Sequence, residues 1–161
     1  MTRIVYSLLM WLVQPFMLAR LKRRGVAEPG YLLALDERLG FYGASPSAAP
    51  SADSAGCVWI HAVSLGETRA ADPLIVALRA QVPELRLLLT HGTATGRAEG
   101  AKLVRTGDAQ AWMPWDTPSA AKRFLKHFKP RLGILMETEV WPNVAASCQA
   151  LTFRWCWPMR E

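Results

Sequence analysis

From Cys57 onward the chain alternates short apolar runs with amphipathic stretches, and nothing else in it constrains the fold as strongly. CVWIHAVS, LRLLLTHGT, AQAWMPWD and RLGILMETE read as strands. ETRAADPLIVALRAQV, ATGRAEGAKLVRTG, TPSAAKRFLKHF and PNVAASCQAL read as helices, the third with Thr117 as N-cap and Pro118 at its first position. Apolar strands each followed by a helix imply βαβ units and a parallel sheet covered on both faces. The expected fold is therefore α/β with a Rossmann-like parallel sheet. A hydrophobic fraction of 51% excludes disorder over most of the 161 residues, which leave room for one domain and an appendage.

The appendage comes first. Residues 4–19, IVYSLLMWLVQPFMLA, are apolar except at Ser7, Gln14 and Pro15, and Arg20, Lys22, Arg23 and Arg24 follow directly. The run is slightly short of the ~20 residues that cross a bilayer comfortably. Its charge lies mostly behind it and no cleavage site stands out, unlike a signal peptide. It reads as a short spanning helix with a cytoplasmic basic end, as an anchor lying in the cytoplasmic interface on anionic lipid, or as a buried core helix. Residues 26–42 read as a connector, and 44–56, ASPSAAPSADSAG, as a flexible link.

The net charge of +6 suits an anionic partner. A nucleic-acid domain would spread its basic residues with exposed aromatics over a continuous patch, whereas here they cluster behind the apolar run, so no nucleic acid is expected. Three cysteines and His61, His91 and His127 show no metal-ligand spacing. Reduced thiols and no metal or cofactor are the expectation, with His127 on a solvated helix face.

Ligands of open parallel sheets bind beyond the carboxyl ends of the strands. Ser64, Gly66 and Glu67 follow the first strand; Thr93, Thr95 and Gly96 follow the second; Glu137, Glu139 and Asn143 follow the fourth. Gly66 permits a tight turn and close approach of another molecule. Glu67 there either takes a proton from an incoming hydroxyl or merely complements the helix dipole. Glu137, at a buried strand end, is either a brace or a catalytic group. The turn over residues 90–96 offers amides and hydroxyls to an anion. Trp112, Trp115 and Trp141 either pack or stack on a sugar, packing being the simpler reading.

The stretches QPFMLARLKRRG, ERLGFYG, WIHAVSLGET, THGTATG, MPWDTP and METEVWPN, in this order, resemble the Kdo (3-deoxy-D-manno-octulosonic acid) transferase family. The resemblance runs to about residue 150. It implies the N-terminal, acceptor-side half of a GT-B glycosyltransferase, in lipopolysaccharide synthesis, at the cytoplasmic side of the cell inner membrane. CMP-Kdo would be donor and the lipid A precursor lipid IVA acceptor, with no metal. Glu67 matches the proposed general base and Glu137 a residue that stabilises the transition state. Ser64, Gly66, Thr93, Thr95, Gly96 and Asn143 are substrate-binding candidates. The expected organisation is an anchor helix with basic flank over 1–25, connector and linker over 26–56, the domain over 57–150, and an aberrant tail over 151–161. A non-catalytic, membrane-bound phospholipid- or lipid A-binding module is the alternative.

The tail, LTFRWCWPMRE, departs from the family's segment of the type IPVVLANARLS. Tryptophan and methionine have single codons, so its nucleotides are largely fixed. Read two bases later, the Trp155–Cys156, Cys156–Trp157 and Trp157–Pro158 junctions encode Val, Leu and Ala. The next two junctions permit Asn and Ala. The expectation is a frame shift near residue 150, a truncated and inactive enzyme, and an unpaired edge on the strand over 131–139.

Overall fold

A computed structural model describes residues 2–43, 56–136, 139, 141–150 and 154–156. The elements are α1 (Thr2–Ala27), 3-10 turns over Pro29–Leu32 and Leu35–Leu39, β1 (Val58–His61), α2 (Leu65–Gln81), β2 (Leu87–His91) and α3 (Ala94–Gly100). They continue with β3 (Ala109–Trp112), α4 (Pro118–Phe128), β4 (Leu132–Leu135), α5 (Pro142–Ala150) and β5 (Arg154–Cys156). The sheet is parallel in the order β3-β2-β1-β4-β5, with Ile60 opposite both Leu89 and Ile134.

Strand side chains alternate between two apolar layers. Trp59, Leu88 and Ala111 meet Phe124 and Phe128 of α4 and Cys148 of α5. Ile60, Leu87 and Leu89 meet Ala71 and Ile75 of α2. Trp59 is wholly buried, edge-on to Phe124 at 4.9 Å, and its indole N–H donates to Thr90 Oγ1 at 2.7 Å. Burying one such side chain contributes about 1.5–3 kcal/mol.

Several expectations change. The helix expected over 94–107 ends at Gly100. The edge of β4 is paired: Leu132, Gly133 and Ile134 stand opposite Arg154, Trp155 and Cys156. A ladder needs only backbone groups, so an atypical three-residue segment can supply it. His127 is half-buried rather than solvated, its ring 5.5 Å from that of Tyr42.

The connector is part of the domain. Tyr31, Glu37, Arg38 and Tyr42 are buried. Glu37 Oε2 accepts from Arg97 Nη1 at 2.8 Å, and Arg38 Cζ lies 4.0 Å over the Trp112 ring. Gly40 has φ +84°, and a Cβ there would sit 2.9 Å from the Ala120 Cα, so glycine lets the connector reach α4.

α1 is one continuous helix, long and apolar enough to cross a membrane. It is not a core helix, since Leu12 is 77% exposed and Phe16 71%.

Candidate functional site

The chain leaves β1 for β2 on one side, and β4 returns to pair on the other, so the strand order reverses at the end of β1. Such a switch point is where open α/β sheets bind ligands. Val63, just beyond it, joins two loops. Its carbonyl accepts from Gly92 N (3.0 Å), Thr93 N (2.9 Å) and Thr93 Oγ1 (3.1 Å). Its N–H donates to Glu67 Oε2 at 2.6 Å.

Ser64 is the N-cap of α2 and also donates its hydroxyl to Glu67 Oε1 at 2.6 Å. Ser-Leu-Gly-Glu has the capping-box pattern, legible in the sequence, but the Glu67 carboxylate takes the Val63 N–H and the Ser64 hydroxyl rather than the Ser64 N–H. Glu67 is half-buried, with each oxygen held by its own turn. An ionised carboxylate has about four lone-pair sites, so two acceptor positions stay available. Gly66 makes no tight turn. It lies in the first turn of α2, exposed, and nothing would stand within 4 Å of a Cβ on it.

Thr93 caps α3, accepting from Gly96 N at 3.1 Å, and Thr95 lies exposed beside it. Gly96 is buried where a Cβ would stand 3.1 Å from Val63 O. The amides of Gly92, Thr93 and Gly96 therefore bind within the protein, and the anion cradle expected of this turn is largely spoken for.

Asn143 is buried. Its N–H donates to Asp116 Oδ2 (3.0 Å), its amide Nδ2 to the Asp116 carbonyl (2.7 Å), and its Oδ1 accepts from Ser7 of α1 (3.0 Å). Asp116 Oδ1 also accepts from Val144 N at 2.9 Å. Burial raises the Asp116 carboxyl above the usual range, opposed by the Asn143 and Val144 N–H groups and the Tyr6 hydroxyl. The sequence places Asp116 at the end of the third strand but gives it no role, because its partners lie 27 and 28 residues away. Glu137 lies outside the described residues.

A cleft of about 290 Å³ opens between these strand ends and the basic end of α1. Arg20, Arg24 and Arg38 line it, with Trp141 and the exposed Glu139 at one side. Arg38 donates to Gly92 O at 2.8 Å, and burial lowers it to about 10. Four buried polar atoms of the lining residues have no hydrogen-bond partner among the described residues: Tyr31 Oη, Arg38 Nε, His61 Nε2 and Trp141 Nε1. Buried polar groups are seldom left so, and these four, closed to solvent in this state, would meet a polar ligand only with a shift of the cleft wall.

Burial pushes His61 down to about 3, so it is neutral, and its Nδ1 lies 3.1 Å from Thr90 O. With Nδ1–H donating there, Nε2 is an acceptor. Three donors, one acceptor and two exposed arginines suit an anionic group that also carries hydroxyls. Among the described residues no group of three or more His, Cys, Asp or Glu could hold a metal ion.

Residues 34–156 match the family model described as 3-deoxy-D-manno-octulosonic-acid transferase (kdotransferase), in its N-terminal glycosyltransferase part. A 3-deoxy-D-manno-octulosonic acid transferase of Bordetella pertussis is 47% identical over 147 residues, 88% of this chain and 32% of the relative. That of Haemophilus influenzae is 35% identical over 144 residues, 89% and 33%. A probable mitochondrial one of Arabidopsis thaliana is 38% identical over 94 residues, 58% and 21%. The chain spans about a third of the length of the first two.

Proposed function

The chain belongs to the 3-deoxy-D-manno-octulosonic-acid transferase family, and on that footing we propose that it forms the acceptor-binding, membrane-facing side of a GT-B Kdo transferase in lipopolysaccharide synthesis. The acceptor would be the phosphorylated lipid A precursor lipid IVA and the donor CMP-Kdo, at the cytoplasmic face of the inner membrane. The observation that carries this reading is the cationic cleft at the strand ends, lined by Val63, whose N–H binds Glu67, and by the basic end of a membrane-competent helix.

In the proposed reaction an acceptor hydroxyl oxygen bonds to the anomeric carbon of Kdo while the bond from that carbon to the CMP phosphate oxygen breaks. The hydroxyl proton passes to Glu67, and the phosphate leaves as CMP. Gly66 leaves space for the acceptor over the first turn of α2. Arg20 and Arg24 hold an acceptor phosphate, and Glu137 supports the transition state. Positioning all three participants supplies much of the rate. Residues 1–161 by themselves are therefore proposed to hold acceptor without turning it over.

The test is binding of lipid IVA, and of its dephosphorylated counterpart, to the chain in detergent. Charge-assisted hydrogen bonds contribute about 1.5–3 kcal/mol, so phosphate removal should weaken binding at least about tenfold. Equal affinities sink the assignment of the cleft. One observation favours the non-catalytic alternative, a lipid A-binding module: both oxygens of Glu67 already accept local hydrogen bonds, from the Val63 N–H and the Ser64 hydroxyl. Turnover of Glu67 variants, described below, separates the two.

A further inference from the structure

α1 carries two faces, and their chemistry is the reverse of an ordinary surface helix. The less exposed stripe, which runs along the domain, is Tyr6, Ser7, Met10, Val13, Gln14, Met17, Leu18 and Leu21, ending in buried Gly25. The spacing is that of one face of an α-helix. Every oxygen-bearing side chain of residues 4–19 (Tyr6, Ser7 and Gln14) is on it. Two face the domain: the one Ser7 hydroxyl proton lies within reach of both Arg3 O (2.8 Å) and Asn143 Oδ1 (3.0 Å), and the Tyr6 hydroxyl lies beside the buried Asp116 carboxyl, which it helps hold down. The opposite face is apolar, with Ile4, Val5, Leu8, Leu9, Leu12 and Phe16 between 57% and 77% exposed, Ile4 and Leu8 at the rim of a groove toward Lys122 and Ala146. Exposed Arg20, Lys22 and Arg23 continue it.

We propose that α1 lies in the plane of an anionic membrane surface, its outer face in the acyl layer and its inner face latched to the domain through Tyr6–Asp116 and Ser7–Asn143. A helix crossing the bilayer alone has lipid on every side. To cross, α1 would have to shed both latches or carry Asp116 and Asn143 toward hydrocarbon, where polar groups are costly. In the plane, both latches stay closed, six large apolar side chains reach lipid and three cationic ones meet anionic headgroups. The partner is thus a lipid surface of negative charge. The cleft, roofed by the other end of the same helix, is held at headgroup level. This rests on the membrane reading above and sharpens it.

The experiment uses the whole chain on vesicles of phosphatidylethanolamine with phosphatidylglycerol. Nitroxides are placed singly through Val5→Cys, Leu9→Cys, Leu12→Cys and Phe16→Cys, all at exposed outer-face positions, and their depths read from oxygen and nickel-chelate accessibility. Residues 5 and 16 are about 16 Å apart along a helix axis. An in-plane helix puts all four labels at one depth, within about one turn's height, and a crossing helix spreads them over most of that length. Equal shallow depths are expected, with binding lost on phosphatidylcholine alone. A monotonic gradient overturns the in-plane latch and leaves membrane attachment standing. Four labels exposed to water with no vesicle binding overturn both.

Discussion

The backbone N–H of Trp112 donates to Glu37 Oε2 at 2.7 Å, so a carboxylate from the segment between α1 and β1 closes the outer edge of the sheet. The same oxygen takes Arg97 Nη1 at 2.8 Å, and both side chains are nearly inaccessible. Edge strands carry unpaired backbone groups that invite association, and here one is occupied.

Removing that carboxylate leaves a buried arginine and a strand N–H without a partner. Glu37→Ala is expected to cost about 3–5 kcal/mol, the usual penalty for breaking a buried pair from one side. Urea unfolding of the chain measures it. A cost within about 0.5 kcal/mol, typical of surface sites, contradicts the role of Glu37.

Glu67→Gln separates chemistry from capping. Glutamine keeps an oxygen for Val63 N–H, and its amide can donate to the Ser64 hydroxyl, so the melting temperature should hold. Turnover, measured in a protein of the relatives' full length, should fall ~10²–10⁴-fold if Glu67 is the base. A two- or three-fold drop assigns it to the helix cap alone.

Gly66→Ala has opposite expected effects on fold and function. Nothing would crowd the added methyl, and alanine in a helix is favoured over glycine by about 0.5–1 kcal/mol. The fold should gain stability. Transfer should fall through a raised KM if the acceptor passes over this turn. Unchanged KM leaves Gly66 without a substrate role.

Two buried histidines predict acid sensitivity. Burial pushes His61 down to about 3 and His91 to about 4, while an unfolded chain has both near 6.5. In that window the unfolded state binds more protons, so stability rises with pH. The contribution is complete above about 6.5 and is lost as pH falls toward 4 and 3. Each histidine should contribute a slope approaching about 1.4 kcal/mol per pH unit. His61→Gln should flatten the acid limb of denaturant midpoints taken from pH 7 to 4. An unchanged limb shows that His61 is not buried neutral.

Periodicity made the βαβ core legible: Val58–His61, Leu87–His91, Ala109–Trp112 and Leu132–Leu135 all fall inside runs expected to be strands. Local chemistry placed the cap of α4, since Thr117 needs only its own helix. The connector was opaque because Leu-Asp-Glu-Arg-Leu reads as a solvated charge run, and nothing local says that Arg97 and Trp112 wait for Glu37. Ser64, Gly66 and Glu67 do share one turn with Thr93 and Gly96 packed behind it, as strand ends imply. Asn143 was read as free to meet substrate, whereas Asp116 and Ser7 use its amide. Such long-range commitments leave no trace in spacing.

The order β3-β2-β1-β4-β5 also sets a timetable for synthesis. β1 can pair with β2 once residue 91 has emerged, but its other edge waits for residue 135. At about 5–20 residues per second that interval is roughly two to nine seconds. Throughout it α1 is already outside the ribosome, while Asn143, one half of its latch, has not yet emerged. If α1 lies on lipid, it meets that surface before it meets its domain, and the nascent chain is tethered there while its central strand is still half-paired. Closure of β4 onto β1 and of Asn143 onto Ser7 then come within about one second of each other.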